Sequence, residues 1–96
     1  MKEKDKLGKY QIAPWIEFRF GGNKGFLYDT KTGQAYGLNE LASLIVEQIQ
    51  NSKNFEEIKA KIIETYEVTE EKAERDTQDF IEQLKNLGVI IENEED

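Results

Sequence analysis

Residues 26–40 read F-L-Y-D-T-K-T-G-Q-A-Y-G-L-N-E, and this stretch decides the fold because it predicts two strands and the start of a helix. Phe26 to Tyr28 are aromatic or aliphatic residues, which suit a pleated, half-buried surface. Residues Asp29 to Gly33 are typical of a turn, and Gly33 can adopt a positive φ angle without steric cost. The pattern therefore predicts a β-hairpin.

The second half of the stretch predicts a strand that runs almost directly into a helix. Gln34 to Leu38 alternate in character, which places Tyr36 and Leu38 on one face of the strand. Asn39 is the predicted N-cap of a helix that begins at Glu40, because its side chain can accept a hydrogen bond from an early backbone N–H.

A further strand is predicted upstream of the hairpin, directly after Pro14. The alternation from Trp15 to Phe20 places Ile16, Phe18 and Phe20 on one face and the residues between them on the other. The composition of residues 21–25 predicts a loop. The three strands together predict a short antiparallel meander.

Three helices are predicted downstream of the sheet. The first spans Glu40 to Gln50, where apolar residues recur at helical spacing. Asn54 is the predicted N-cap of a second helix that ends near Tyr66. Thr69 is the predicted N-cap of a third helix, which Gly88 ends with a left-handed residue.

The order of these elements predicts an α+β domain of winged-helix type, with a three-stranded antiparallel β-sheet followed by three α-helices. We expect this domain to span residues 12–91, ending in the short apolar run of residues 89–91, which packs or pairs. Residues 1–11 are predicted to form a flexible arm whose end lies against the sheet. The acidic residues 92–96 are predicted to form a disordered tail.

The composition limits the classes of protein to which this chain can belong. Its 96 residues suit one domain with a single core, and no apolar run approaches the roughly 20 residues that cross a bilayer. We therefore expect a soluble protein with no membrane partner. The first residues lack the apolar stretch of a secretory signal, so a cytoplasmic location is predicted. The net charge of −7 argues against nucleic acid as a partner.

The residue types needed for most catalysis are missing. The chain has no histidine and no cysteine, so the usual general base, metal ligand and neutral-pH nucleophile are absent. Neighbouring carboxylates such as Glu56 and Glu57, or Glu70 and Glu71, lie in first helical turns, where acidic side chains favour the helix dipole. We therefore predict no enzyme activity, no catalytic residue, no metal site and no cofactor.

The hairpin and the segments after it together resemble the PqqD-like family, whose small domains recognise the leader peptides of ribosomally made, post-translationally modified peptides. The junction from Gly37 to Glu40 is also similar to the stand-alone partner proteins of lasso-peptide systems. The resemblance covers about two thirds of the chain, and it is carried by Asp29-Thr30, Gly33, Tyr36-Gly37-Leu38-Asn39-Glu40, Phe55-Glu56-Glu57-Ile58, Tyr66-Glu67-Val68, Asp76, Phe80, Leu84 and Leu87-Gly88-Val89-Ile90.

The resemblance implies that a leader peptide docks as an added strand along Gln34 to Leu38, in the cleft that this strand forms with the helix at residues 70–87. Ala35 and Gly37 are small enough to let another backbone approach. The candidate peptide-binding residues on the sheet and on one flank of that helix are Leu27, Gln34, Ala35, Tyr36, Gly37, Lys72, Asp76, Asp79, Phe80 and Gln83. Pairing of Lys72 with Asp76, or of Arg75 with Asp79, is an equally simple role for those charges.

The resemblance also implies that the chemistry belongs to a partner enzyme, such as a radical SAM enzyme, a cyclase or a leader protease. Two other hypotheses remain open. One is a winged-helix DNA-binding or transcription-associated domain, although residues 70–87 hold six acidic and three basic side chains. The other is a structural subunit whose sheet edge pairs with itself; otherwise we expect a monomer or a weak dimer.

Overall fold

The computed structural model describes residues 9–21 and 24–93. Within them, the order of elements is β1 (Lys9–Ile12), β2 (Ile16–Gly21), β3 (Lys24–Asp29), β4 (Ala35–Leu38), α1 (Glu40–Gln50), α2 (Phe55–Tyr66), α3 (Glu70–Asn86) and β5 (Ile90–Asn93). The predicted α+β class and the predicted order of three strands and three helices are confirmed.

The central sheet is the predicted antiparallel meander, in the order β2-β3-β4. Its second turn is closed by Asp29, whose Oδ1 accepts hydrogen bonds from the backbone N–H groups of Lys31 (2.9 Å) and Thr32 (3.2 Å). Gly33 has a φ angle of 80°, as expected of a left-handed turn residue. Asp29 is buried, so its carboxylate organises the turn from inside the structure.

The helix boundaries follow the caps predicted from the sequence. Asn39 Oδ1 accepts a hydrogen bond from the backbone N–H of Ala42 (2.8 Å). Asn54 and Glu57 form a reciprocal capping box at the start of α2. Thr69 caps α3, and Gly88, with a φ angle of 75°, follows the end of that helix.

A second, two-stranded sheet joins the two ends of the chain. β1 and β5 pair antiparallel, from Lys9 opposite Asn93 to Ile12 opposite Ile90. The ordered fold therefore extends beyond the expected bounds at residues 12 and 91, because residues 9–11 and 92–93 satisfy each other's backbone hydrogen bonds. The rest of the expected arm and tail, residues 1–8 and 94–96, lies outside the described residues.

The core lies between the inner face of the three-stranded sheet and the helices. α1 is its central element, because it contacts β1, β3, β4 and α2. Ser43 on α1 is buried, and its Oγ accepts a hydrogen bond from the backbone N–H of Gly25 on β3 at 2.7 Å. A Cβ at Gly25 would lie 2.7 Å from Cε1 of Phe18 on β2 and 3.1 Å from Oγ of Ser43, so a side chain there would displace its neighbours.

None of the helices in the described residues is both long and apolar enough to cross a membrane.

Replacing Asp29 with alanine tests how the hairpin is held. The change leaves two backbone N–H groups of the turn without their acceptor, so we expect the free energy of unfolding to fall by about 1–3 kcal/mol. Asp29→Asn keeps an oxygen acceptor and should lose less than half as much. Urea denaturation followed by circular dichroism measures both, and wild-type stability of Asp29→Ala would contradict this role for the carboxylate.

Candidate peptide-binding site

One edge of the three-stranded sheet is open at β4. Within the described residues, β4 pairs with β3 alone and no strand lies on its other side. The strand is four residues long and passes into α1 through the Asn39 cap. A short open edge of this kind offers unpaired backbone groups to an added strand.

The hydrogen bonds of the hairpin show which backbone groups face that edge. The N–H of Asp29 donates to the carbonyl oxygen of Gln34 across the β3–β4 turn, at 2.8 Å. Bonded and non-bonded pairs alternate along an antiparallel ladder, so Tyr36, opposite Leu27, directs its N–H and C=O toward β3. Ala35 and Gly37 therefore direct their N–H and C=O groups away from the sheet, toward the open edge.

The side chains of β4 alternate between the two faces of the sheet. Tyr36 is half-buried and Leu38 is buried, and both belong to the inner face that meets the helices. Ala35 and Gly37 are exposed on the outer face. A strand added beside β4 would consequently place alternate side chains toward the helices and toward solvent.

A cavity of about 170 Å³ lies between the three helices, close to the end of β4. Leu41, three residues after the last residue of β4, lines it, so the cavity is within about 11 Å of the strand along the chain. The remaining lining residues come from α2, α3 and the connection between them: Ile62, Tyr66, Val68, Lys72 and Asp76. The lining is mainly apolar, with one charged pair at its wall.

A larger cleft, of about 240 Å³, is also lined by Tyr66. Its lining comes from β2, α1 and α2, and includes Phe20 and Leu44 but no residue of α3. The smaller cavity, which α3 lines through Lys72 and Asp76, is therefore the better candidate for a site that involves this helix.

Some of the predicted site residues line the smaller cavity. Lys72 and Asp76 both line the cavity and form an ion pair, with Nζ and Oδ2 3.1 Å apart. Within the described residues no ion pair joins Arg75 to Asp79, so only the first of the two predicted charge pairs forms. The charge at the cavity wall is therefore neutralised locally.

The other predicted residues occupy a range of environments. Phe80 is half-buried and packs against the core, while Asp79 and Gln83 are exposed on α3. Gln34 is exposed at the end of the turn before β4. Leu27 requires a correction: it is 1% exposed and lies in the core, because it occupies the middle of the central strand on the inner face. Its side chain cannot contact a peptide.

The sequence prediction missed four of the residues that line the cavity: Leu41, Ile62, Tyr66 and Val68. Leu41, Ile62 and Tyr66 lie on the apolar stripes of their helices, and a stripe alone does not distinguish a core position from a cavity wall. Tyr66 lines both the cavity and the larger cleft, and its side chain is 37% exposed.

Lys59 on α2 links this helix to α3, and both helices line the cavity. Its Nζ lies 3.2 Å from Glu56 Oε1 on the same helix, and 3.3 Å and 3.2 Å from Glu70 Oε2 and Glu74 Oε1 on α3. Burial of the side chain by itself lowers the pKa of Lys59, but hydrogen bonds to the three carboxylates outweigh burial and raise that pKa above its ordinary value. The ammonium group is therefore charged at every physiological pH.

Among the described residues, no group of three or more carboxylates is arranged to hold a metal ion. The three carboxylates around Lys59 instead form ion pairs with its ammonium group.

Residues 24–90 match the family described as coenzyme PQQ synthesis protein D (PqqD). The chain belongs to the PqqD family. The matched range begins at β3 and ends at the first residue of β5, so it contains the open edge of β4, all three helices and the cavity.

Two solved structures are similar to this member of the PqqD family over most of their length. One is described as TbiB1 in complex with the TbiA(beta) leader peptide; its TM-score is 0.80 at 28% identity, with 83% of this chain and 93% of that chain covered. The other is described as lasso peptide synthetase B1 complexed with the leader peptide; its TM-score is 0.79 at 25% identity, with 86% and 98% covered. No curated protein matches the chain.

Substituting Lys59 with methionine tests the link between α2 and α3. The change removes the positive charge that the three carboxylates share, so we expect a loss of about 1–2 kcal/mol in the free energy of unfolding. Lys61→Met is the matched control, because Lys61 is half exposed and 4.0 Å from Glu64, and it should change stability by less than about 0.5 kcal/mol.

The same variants predict a pH dependence. A lysine whose folded-state pKa is raised contributes its full stability below about pH 10.4 and loses it only as the pH rises through the folded-state value. The stability difference between wild type and Lys59→Met should therefore be equal at pH 7 and pH 9 in urea denaturation. A difference that grows between pH 7 and pH 9 would contradict the raised pKa, because a lysine whose folded-state pKa is lowered releases its proton first in the folded protein and stability then rises with pH.

Proposed function

We propose that this protein binds the leader peptide of a ribosomally synthesised, post-translationally modified peptide precursor. The observation that carries the proposal is the open edge of β4, where Ala35 and Gly37 direct their backbone groups outward. Leu41, three residues after this strand, lines the cavity between the three helices. Membership of the PqqD family and the likeness to two leader-peptide complexes support it.

The binding mode is strand addition. The peptide forms main-chain hydrogen bonds with Ala35 and Gly37, and these bonds supply affinity without regard to sequence. Its inward side chains lie along the surface formed by Tyr36 on β4 and by Phe80 and Asp76 on α3, and reach the cavity lined by Leu41. These contacts select the peptide.

The domain presents the peptide and carries out no reaction of its own. The chain contains no histidine and no cysteine, so it lacks the residues most often used as general base or nucleophile. We propose that a partner enzyme modifies the bound precursor, as a radical SAM enzyme, a cyclase or a leader protease would. The likeness to a lasso peptide synthetase B1 favours a lasso-peptide system, and we propose the cytoplasm as the place of action.

A fluorescence-anisotropy titration tests the proposal. The probe is a fluorescein-labelled synthetic peptide with the leader sequence of the precursor gene that lies beside this gene. We expect saturable binding by the wild-type protein, with a dissociation constant on the order of micromolar or tighter. Absence of saturable binding would overturn the proposed function, and salt-sensitive binding to duplex DNA in its place would favour a regulator.

Two variants at Gly37 test the strand-addition mode. Gly37→Pro removes the outward N–H but no bond to β3, and proline is tolerated on an edge strand, so we expect peptide affinity to fall at least about tenfold with little loss of stability. Gly37→Ala is the matched control. It keeps the N–H, and its Cβ would lie 3.8 Å from the Phe26 ring, an ordinary contact, so affinity should stay within about threefold. Equal binding by the proline variant would contradict strand addition.

A further inference from the structure

The outer face of the sheet carries two large aromatic side chains that the core does not use. Phe26 and Tyr28 lie two residues apart on β3 and are 54% and 44% exposed. The register places Phe26 opposite Gly37 and Tyr28 opposite Ala35 on β4. The two aromatic rings therefore adjoin the two smallest residues of the edge strand.

These small residues leave space between the rings and the open edge. Gly37 has no side chain, and a Cβ built there would already lie 3.8 Å from Cε1 of Phe26. Ala35 adds only a methyl group in front of Tyr28. The result is a shallow apolar trough, with its floor at Ala35 and Gly37 and its wall at Phe26 and Tyr28.

Two charged residues of β2 border the trough on the side away from the β4 edge. On β2, Arg19 lies opposite Phe26 and Glu17 lies opposite Tyr28, and the two charged side chains form an exposed ion pair at 3.3 Å. The apolar surface is therefore continuous with the edge of β4 and ends at β2. An occupant that reaches it from the β4 edge buries apolar surface without removing this ion pair from water.

A peptide strand added to β4 would reach the trough from this edge. Its residues directly opposite Ala35 and Gly37 project from the same outer face, and neighbouring strands lie about 4.8 Å apart. Two side chains of the peptide, two residues apart, would then stand over the trough. With no bulky side chain on β4 between them, a long or aromatic side chain can reach the rings of Phe26 and Tyr28.

We infer that the trough is a second recognition surface for the peptide, which selects large apolar side chains at two positions spaced by two on the face of the peptide that points away from the helices. This inference rests on the proposed function and adds a specificity to it. The peptide is consequently read on both faces: by the helices and the cavity on one side, and by Phe26 and Tyr28 on the other.

The test uses the same labelled leader peptide with the variants Phe26→Ser and Tyr28→Ser. We expect each to weaken peptide binding about tenfold, because each removes apolar surface that the peptide buries. Phe20→Ser is the matched control: Phe20 is 51% exposed but lies on β2 with the inner-face residues, so its replacement should leave affinity within about twofold. Thermal melting followed by circular dichroism verifies that the variants fold.

Substitutions in the peptide give a second arm that does not depend on the stability of the protein. Serine is placed at each apolar position of the peptide in turn, and each peptide is titrated against wild type and against Phe26→Ser. We expect two positions, two residues apart, whose replacement weakens binding to wild type about tenfold. At the position opposite Gly37, which stands over Phe26, the same replacement should weaken binding to Phe26→Ser less than threefold.

The outcomes separate this inference from the proposed function. If wild type binds the peptide and both serine variants bind equally well, the trough is not a recognition surface, while the proposed function stands. If the serine variants change only the mass measured by light scattering, the aromatic face is a contact between copies of the chain, and the inference is overturned. If wild type does not bind the peptide, the proposed function fails first.

Discussion

The geometry of the site depends on how β4 pairs with β3. The antiparallel register directs the backbone groups of Tyr36 toward β3 and those of Ala35 and Gly37 toward the open edge. The turn at Asp29 fixes this register, and the cap at Asn39 ends the strand before its edge becomes long. The β4 edge directs the backbone groups of only Ala35 and Gly37 outward among the residues of that strand, so this edge can accept one peptide strand with a limited hazard of sheet-to-sheet aggregation.

The same register gives the two faces of β4 different roles. On the inner face, Tyr36 and Leu38 join the core and lead to the cavity that α1, α2 and α3 enclose. That cavity depends on α2 and α3 staying together, which the buried Lys59 and its three carboxylates secure. On the outer face, Gly37 and Ala35 leave space beside Phe26 and Tyr28. Backbone pairing and side-chain selection are thus set by one strand.

Much of this arrangement could be predicted from the sequence because it is encoded locally. The caps at Asn39, Asn54 and Thr69 and the left-handed Gly33 and Gly88 depend on neighbouring residues, and all of them were predicted correctly.

The parts that could not be predicted depend on contacts between distant residues. The pairing of β1 with β5 joins the two ends of the chain, and neither segment shows it alone. Leu27 suits either face of a hairpin until the register is known, and the cavity walls at Leu41 and Tyr66 look like ordinary core positions in a helical stripe. Burial of Lys59 depends on two glutamates that lie on the next helix.

Hydrogen exchange of single backbone amides, followed by NMR with and without the leader peptide, tests strand addition at β4 most directly. In the free protein the amide of Tyr36 should already be protected, whereas those of Ala35 and Gly37 should exchange quickly. Strand addition predicts that saturating peptide slows exchange at Ala35 and Gly37 by about tenfold or more, with little change at Tyr36. Bound peptide with unchanged exchange at both Ala35 and Gly37 would contradict it.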